Sequence, residues 1–328
     1  MRMLVTGGAG YIGSHMVRLL LDGGHQVVVL DDLSTGHRDA VADAARFVEG
    51  DIGRSDDVAA LLRDESIDAV VNFAAKSLVQ ESVESPRRYW QGNTVATLGL
   101  LEAVLDTPSV KAFVQSSTAA VYGNPGRVPI DEDDPKLPVN PYGATKLAIE
   151  EALQAYGIGH GLRWAALRYF NAAGADVAAN LAERHSPETH LIPIVLDVAC
   201  GAREALTVFG SEWPTPDGTC VRDYVHVLDL CDAHMRAIEH LMAGRQSGAF
   251  NLGTGRGHSV REVVATAHHV TGREIRTVDA APRAGDPAVL VANPDRAARV
   301  LGWRAQRASL TTILGDAWAT HRRARPPA

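Results

Sequence analysis

Ten residues near the start of the chain, Thr6 to His15 (TGGAGYIGSH), constrain its fold more than any other stretch. Gly7, Gly10 and Gly13 stand three apart, behind the apolar run Met3 to Thr6 and ahead of an amphipathic stretch, Tyr11 to Leu21. Glycine permits a tight strand-to-helix turn and close backbone approach, and the free amides at a helix start, helped by its dipole, attract a pyrophosphate. The bland alternative is a tight turn with no ligand. Asp31, closing the next apolar run Val27 to Leu30, weighs against it. A carboxylate there accepts hydrogen bonds from ribose hydroxyls and repels a 2'-phosphate, which favours NAD over NADP. Asp32 is placed to assist, and Asp51 and Ile52 follow a third apolar run where an adenine edge would lie.

Short apolar runs then alternate with amphipathic stretches. Strands are expected at Met3 to Thr6, Val27 to Leu30, Arg46 to Val48, Ala69 to Asn72, Lys111 to Gln115 and Arg163 to Arg168. Helices are expected between them, at Tyr11 to Leu21, Asp56 to Arg63 and Arg88 to Leu105. That rhythm predicts an α/β chain with a Rossmann-type doubly wound parallel sheet, covered on both faces. Past about Asn171 the rhythm loosens, with an insert from Gly174 to Thr189 and a turn-rich stretch, GSEWPTPDG, from Gly210 to Gly218. We therefore expect residues 1–170 to form the dinucleotide lobe, with a return segment near 225–252, and residues 171–328 mainly a smaller mixed α/β lobe for substrate. The tail His321 to Ala328 reads as a solvated end.

At 328 residues the chain is long enough for a large core, and its net charge of -7 opposes a polyanion, so nucleic acid is not an expected partner. Cys200, Cys220 and Cys231 are odd in number and lack CxxC spacing, which fits reduced thiols and no metal. The strand that starts at Met3 leaves no room for a signal peptide, and no apolar run reaches membrane-spanning length. A cytoplasmic protein with no membrane partner is expected.

Asn140 to Glu151 (NPYGATKLAIEE) opens with a natural helix cap and a first-turn proline, setting Tyr142 and Lys146 on one helix face. A lysine cation and a positive nicotinamide ring both favour the phenolate, suiting Tyr142 to general-base work. The spacing is also common on ordinary helix surfaces, so by itself it leaves both readings open. Ser116, Ser117 and Thr118 end the fifth strand where ligands bind in such a sheet, and Thr118 suits a proton relay.

Taken together, these elements resemble the extended short-chain dehydrogenase/reductase superfamily, and within it the NAD-dependent epimerase/dehydratase family and its sugar-nucleotide 4-epimerases. The likeness runs nearly end to end, through TGGAGYIGSH, DDLSTG (Asp31 to Gly36), NFAAKSLVQESV (Asn72 to Val83), SSTAAVYG (Ser116 to Gly123) and NPYGATK (Asn140 to Lys146). It continues in RYFNAAGA (Arg168 to Ala175), NLGTG (Asn251 to Gly255) and RAGDPA (Arg283 to Ala288). Most discriminating is FGSEWPTPDGTCVRDYVHVLDL, Phe209 to Leu230.

By matching motif, the resemblance implies NAD contacts from Gly7, Gly10, Tyr11, Ile12, Gly13, Asp31, Asp32, Asp51 and Ile52. Phe73, Ala74, Ala75, Asn93, Ser116 and Tyr169 complete that set. Thr118, Tyr142 and Lys146 are implied as catalytic, Lys146 also holding the nicotinamide ribose. For a UDP-sugar it implies Thr118, Tyr142, Asn171, His190, Leu191, Phe209, Arg222, Tyr224, Arg283, Asp286 and Leu290, the two arginines having the planar, permanent charge of diphosphate clamps. The implied reaction inverts carbon 4 of a UDP-hexose through a 4-keto sugar on tightly held NAD, and the implied assembly is a homodimer.

Three positions depart from many relatives: Ser77 follows Lys76 where a lysine is frequent, His190 replaces asparagine, and Leu290 replaces a tyrosine that narrows the pocket in some. Leucine leaves room for N-acetylated UDP-hexosamines. Among rivals, a sugar-nucleotide dehydratase would need an acid and base after Thr118, where this chain has Ala119 and Ala120. A uronate enzyme remains an open alternative, and a non-catalytic NAD sensor would have no use for Tyr142 and Lys146.

Overall fold

The computed structural model describes residues 1–283 and 286–324. Ala284 and Gly285 of RAGDPA and the last four residues of the tail lie outside the described residues. The first part of the chain forms β1 (Arg2–Thr6), α1 (Tyr11–Asp22), β2 (Gln26–Asp31), β3 (Arg46–Glu49), α2 (Ser55–Asp64) and β4 (Ala69–Asn72). After these come α3 (Val79–Glu84), α4 (Pro86–Tyr89), a π-helical turn (Trp90–Val95), α5 (Ala96–Leu105), β5 (Ala112–Thr118), α6 (Pro141–His160) and β6 (Trp164–Tyr169). Next are β7 (Asn171–Ala173), α7 (Leu191–Ala199), β8 (Leu206–Phe209), β9 (Val221–Arg222), β10 (Tyr224–His226), α8 (Val227–Met242) and β11 (Gly248–Leu252). Last come β12 (His258–Ser259), α9 (Val260–Thr271), β13 (Thr277–Ala280), β14 (Val289–Leu290), α10 (Asp295–Val300) and α11 (Leu310–Ala324).

The main sheet runs β11-β6-β5-β4-β1-β2-β3, parallel throughout. Successive residues of β1 face opposite ways: Met3 and Val5 join Val27, Val29 and Val71 in one core, Leu4 joins Val28, Val70 and Phe113 in the other. A strand apolar on both faces needs cover on both. Met16 and Leu20 of α1 with Leu230 and Ile238 of α8 supply it on one side, and Leu62 of α2, Leu100 of α5 and Ile149 of α6 on the other. Winding reverses between β1 and β4, which opens a crevice at their carboxyl ends.

Two expected boundaries shift. The helix read as Arg88 to Leu105 is broken into α4, the π turn and α5, with Pro86 setting its start. β5 extends through Thr118, because Ser116, Ser117 and Thr118 pair with Leu167, Arg168 and Tyr169 of β6. His321, read as part of a solvated tail, instead sits in α11 with its imidazole 2.9 Å from the Asp197 carboxylate. Beyond β6, short two- and three-stranded sheets and a separate core of Ile192, Val195, Val263, Ile313 and Leu314 build a second layered body.

Candidate active site

A cleft of about 1110 Å³ runs over the carboxyl ends of the central strands and out to the second body. Its floor is the glycine loop. Gly7 has φ +67°, and a Cβ there would lie 2.6 Å from the Ala74 amide nitrogen, so β1 and β4 meet this closely only around glycine. A Cβ at Gly13 would overlap the Gly7 carbonyl oxygen. α1 begins at Gly10 with no side-chain cap and no acidic residue in its first turn, which leaves its amide end able to receive an anion.

Asp31 is buried at the end of β2, where its carboxylate accepts hydrogen bonds from the amides of Ala9 and Leu33, both at 2.9 Å. Burial raises its pKa, and those two amides pull the other way. The glycine loop and the acidic residue are thus one hydrogen-bonded unit, with a floor that admits no Cβ and an uncapped helix end. These features fit a dinucleotide pyrophosphate and ribose.

Of the residues marked by sequence, Gly7, Gly10, Tyr11, Ile12, Gly13, Asp31, Asp32, Asp51, Ile52, Phe73, Ala74, Ala75 and Ser116 line this cleft. So do Thr118, Tyr142, Lys146, Tyr169, Asn171, His190, Arg222, Asp286 and Leu290. Asn93, Leu191, Phe209, Tyr224 and Arg283 stand outside that lining. Asn93 is fully buried behind the wall: its amide accepts from the Lys76 N–H (2.7 Å) and donates to the Lys76 carbonyl (3.0 Å) and to Thr145 Oγ1 (3.1 Å). It therefore fixes the Ala75–Lys76 turn against α6. The Arg283 guanidinium lies over the Phe209 ring, 3.9 Å from its centroid.

α6 starts as its sequence demands, with Asn140 Oδ1 accepting from the Gly143 amide at 2.9 Å and Pro141 in the first turn. Tyr142 is drawn two ways: burial raises its pKa, while a hydrogen bond with Thr118 lowers it. Thr118 Oγ1 is itself set by the Ala120 amide, at 3.1 Å. Lys146, 2% exposed, donates to the Ser116 carbonyl at 3.0 Å. Burial pushes its pKa down to about 8, against an opposing pull from Glu150 one turn on. Glu150 is held in turn by Arg168 at 2.6 Å, and it accepts from Ser117. Tyr169 donates to His234 Nε2 at 2.5 Å, since His234 Nδ1 is used on the Leu230 carbonyl.

At the far end, Arg222 of β9 and Leu290 of β14 are paired residues, and Asp286 approaches Arg222 at 4.0 Å. The insert folds back over the first lobe: Tyr11 donates to the Gly174 carbonyl (2.7 Å) and Arg184 forks onto Asp39 (2.7 and 3.0 Å). It also surrounds His190. Burial lowers the His190 pKa, but Glu183 and Glu188 outweigh it and hold the imidazole up to about 10. Sequence reasoning marked His190 alone and missed Glu183, His185 and Glu188, although two histidines and two glutamates within eight residues were a visible signal.

The chain matches the NAD dependent epimerase/dehydratase family over residues 3–253. It is 50% identical over 322 residues to a UDP-glucose 4-epimerase of Halalkalibacterium halodurans, covering 98% of this chain and 96% of that one. Among solved structures, the UDP-glucose 4-epimerase of Brucella ovis in complex with NAD is 46% identical, with a TM-score of 0.94 over 97% of both chains. The Bifidobacterium longum UDP-glucose 4-epimerase in complex with NAD+ and UDP is 32% identical, with a TM-score of 0.93 over 100% of this chain and 99% of that one.

Proposed function

The chain belongs to the NAD dependent epimerase/dehydratase family, and from that premise we propose that it interconverts UDP-galactose and UDP-glucose by inverting carbon 4 on bound NAD. The observation that carries this reading is one continuous cleft joining the glycine loop and Asp31 to Tyr142, Thr118 and Lys146, and onward to Arg222 and Leu290. Gly7, Gly10, Tyr11, Ile12 and Gly13 would hold the NAD pyrophosphate, Asp31 the ribose, and Asp32, Asp51 and Ile52 the adenosine side. Phe73, Ala74, Ala75, Ser116 and Tyr169 would bound the nicotinamide, with Asn93 bracing that wall from behind. When bound, NAD supplies a hydride acceptor for carbon 4 and, once reduced, the donor that restores it.

The chain's own residues move the proton. Tyr142, as phenolate, takes the 4-hydroxyl proton with Thr118 as relay, and returns it when the 4-keto oxygen is reduced. Lys146, buried and anchored on Ser116, keeps a positive charge beside that exchange below about pH 8. Arg222, Arg283 and Asp286, with Asn171, His190, Leu191, Phe209 and Tyr224, would grip the UDP part. Firm nucleotide contacts and loose sugar contacts let the keto sugar turn over without escaping. We assign residues 1–170 to the NAD lobe, with the return near 225–252, and 171–328 mainly to the UDP-sugar lobe.

Leu290 leaves room beside the sugar, so N-acetylated UDP-hexosamines are proposed as further substrates. The protein is proposed to be a homodimer acting in galactose metabolism in the cytoplasm. Support for the last is chemical: Cys200, Cys220 and Cys231 are free thiols, and no helix among the described residues is long and apolar enough to cross a membrane. For the dimer it is the exposed apolar residues Trp90 and Val95 of the π turn and Ile158 of α6. The test is to incubate the purified protein, without added NAD, with UDP-galactose and separately with UDP-GalNAc. Formation of UDP-glucose and UDP-GlcNAc is expected; no product from UDP-galactose even after NAD is supplied rejects the reading.

A further inference from the structure

Glu183, His185, Glu188 and His190 each offer one ligand atom, and all four lie within 4.8 Å of one another. His190 Nδ1 is 2.9 Å from Glu183 Oε1 and 3.1 Å from Glu188 Oε1. His185 Nδ1 is 3.2 Å from Glu183 Oε1 and 3.8 Å from Glu188 Oε2. Nitrogen and oxygen donors held about 2.0–2.1 Å from a tetrahedral ion stand roughly 3.3 Å apart. The four separations, from 2.9 to 3.8 Å, straddle that edge.

We propose that these four side chains form a divalent-cation site, best suited to zinc, that staples the insert to the start of α7. His190 is the residue at which α7 begins, and the other three come from the insert that folds over the first lobe. Two carboxylates neutralise a dication, and a two-imidazole, two-carboxylate set matches the ligands zinc takes. The site is set in advance, because Glu188 Oε1 accepts from the amides of Thr189 and His190, both at 2.9 Å. His185 Nδ1 is buried without a hydrogen-bond partner, facing the two carboxylates. A divalent ion there would be shared between that nitrogen and the carboxylate oxygens it faces. Glu183, His185 and His190 also border the cleft, which gives an ion its way in.

A second cluster, Asp197, Cys200 and His321, brings three donors together and serves as the internal control. The chelator-treated, dialysed full chain is titrated with zinc sulfate by calorimetry, and bound metal is counted by elemental analysis. One zinc per chain is expected. His185→Ala should weaken binding more than about a hundredfold, beyond the loss from an outer-shell partner, with circular dichroism unchanged. Cys200→Ser should bind as the parent does. Glu188→Gln serves the same purpose should His185→Ala not fold. Cobalt in place of zinc should give the intense visible bands of a tetrahedral ion. Absence of binding by the parent, undiminished binding in both insert variants, or loss only in Cys200→Ser overturns the proposal.

Discussion

Tyr142 is hydrogen-bonded with Thr118, and the Lys146 ammonium donates to the Ser116 carbonyl at 3.0 Å. Its phenol is moved by burial upward and by Thr118 downward. In the proposed reaction the proton exchange runs through Tyr142 and Thr118 as a hydroxyl pair. Tyr142→Phe should cut turnover by about 10²–10⁴-fold, the usual worth of a positioned acid or base, while NAD stays bound in the purified protein. Turnover within tenfold of the parent would contradict the role. Lys146 makes a second prediction, with a definite sign. Its folded pKa of about 8 lies below the ordinary 10.5, so between those values the unfolded chain binds more protons than the folded one. Stability from this group is lowest below about pH 8 and rises through that window. Lys146→Met should therefore raise the melting temperature at neutral pH while reducing turnover, and the gain should shrink as pH approaches 10.5. A lower melting temperature would show that the bond to Ser116 outweighs the buried charge.

At the scale of elements, α1 and α6 show what glycine does in two contexts. Gly13 packs where a Cβ would overlap the Gly7 carbonyl, whereas Gly159 of α6 has open space around its Cβ position. Gly13→Ala should lower both the melting temperature and the NAD content. Gly159→Ala should leave activity unchanged and raise stability by up to about 1 kcal/mol, the difference in helix propensity; equal thermal shifts in the two variants would contradict this. The same elements explain what could be read from sequence. β1, α1 and α6 were legible because an apolar run or helical period meets a glycine, a proline or a cap: Gly7 after β1, Gly23 after α1, and Asn140 with Pro141 at the start of α6. The break at Trp90–Val95 was not legible, because its cause is tertiary: Asn93 must turn inward to bond Lys76 and Thr145. Ser116 to Thr118 were read as the strand's edge for a similar reason, their pairing with Leu167 to Tyr169 being invisible in a polar triplet. Glu183, His185 and Glu188 lie within seven residues of His190 in the sequence, but the insert has no helical or strand period to say which of its side chains share one side.

For the whole molecule, the cleft lies where the connections leaving β1 and β4 diverge and is completed by β9, β14 and the insert. The chain must come together before nucleotide and sugar sites face each other. Outside that cleft, Trp90 and Ile158 expose apolar surface at 40% and 82%, and Val95, at 59%, stands at its rim. Sedimentation equilibrium should give twice the 35.0 kDa chain mass, and Ile158→Glu should shift it toward the monomer; a monomeric parent removes the dimer proposal. The central claim, that carbon 4 is oxidised and reduced by one cofactor held in place, has its most direct test in isotope retention. UDP-galactose carrying deuterium at carbon 4 is converted in ordinary water, and the UDP-glucose formed is analysed by mass and proton resonance. The label should be fully retained at carbon 4; its replacement by solvent hydrogen would contradict the account.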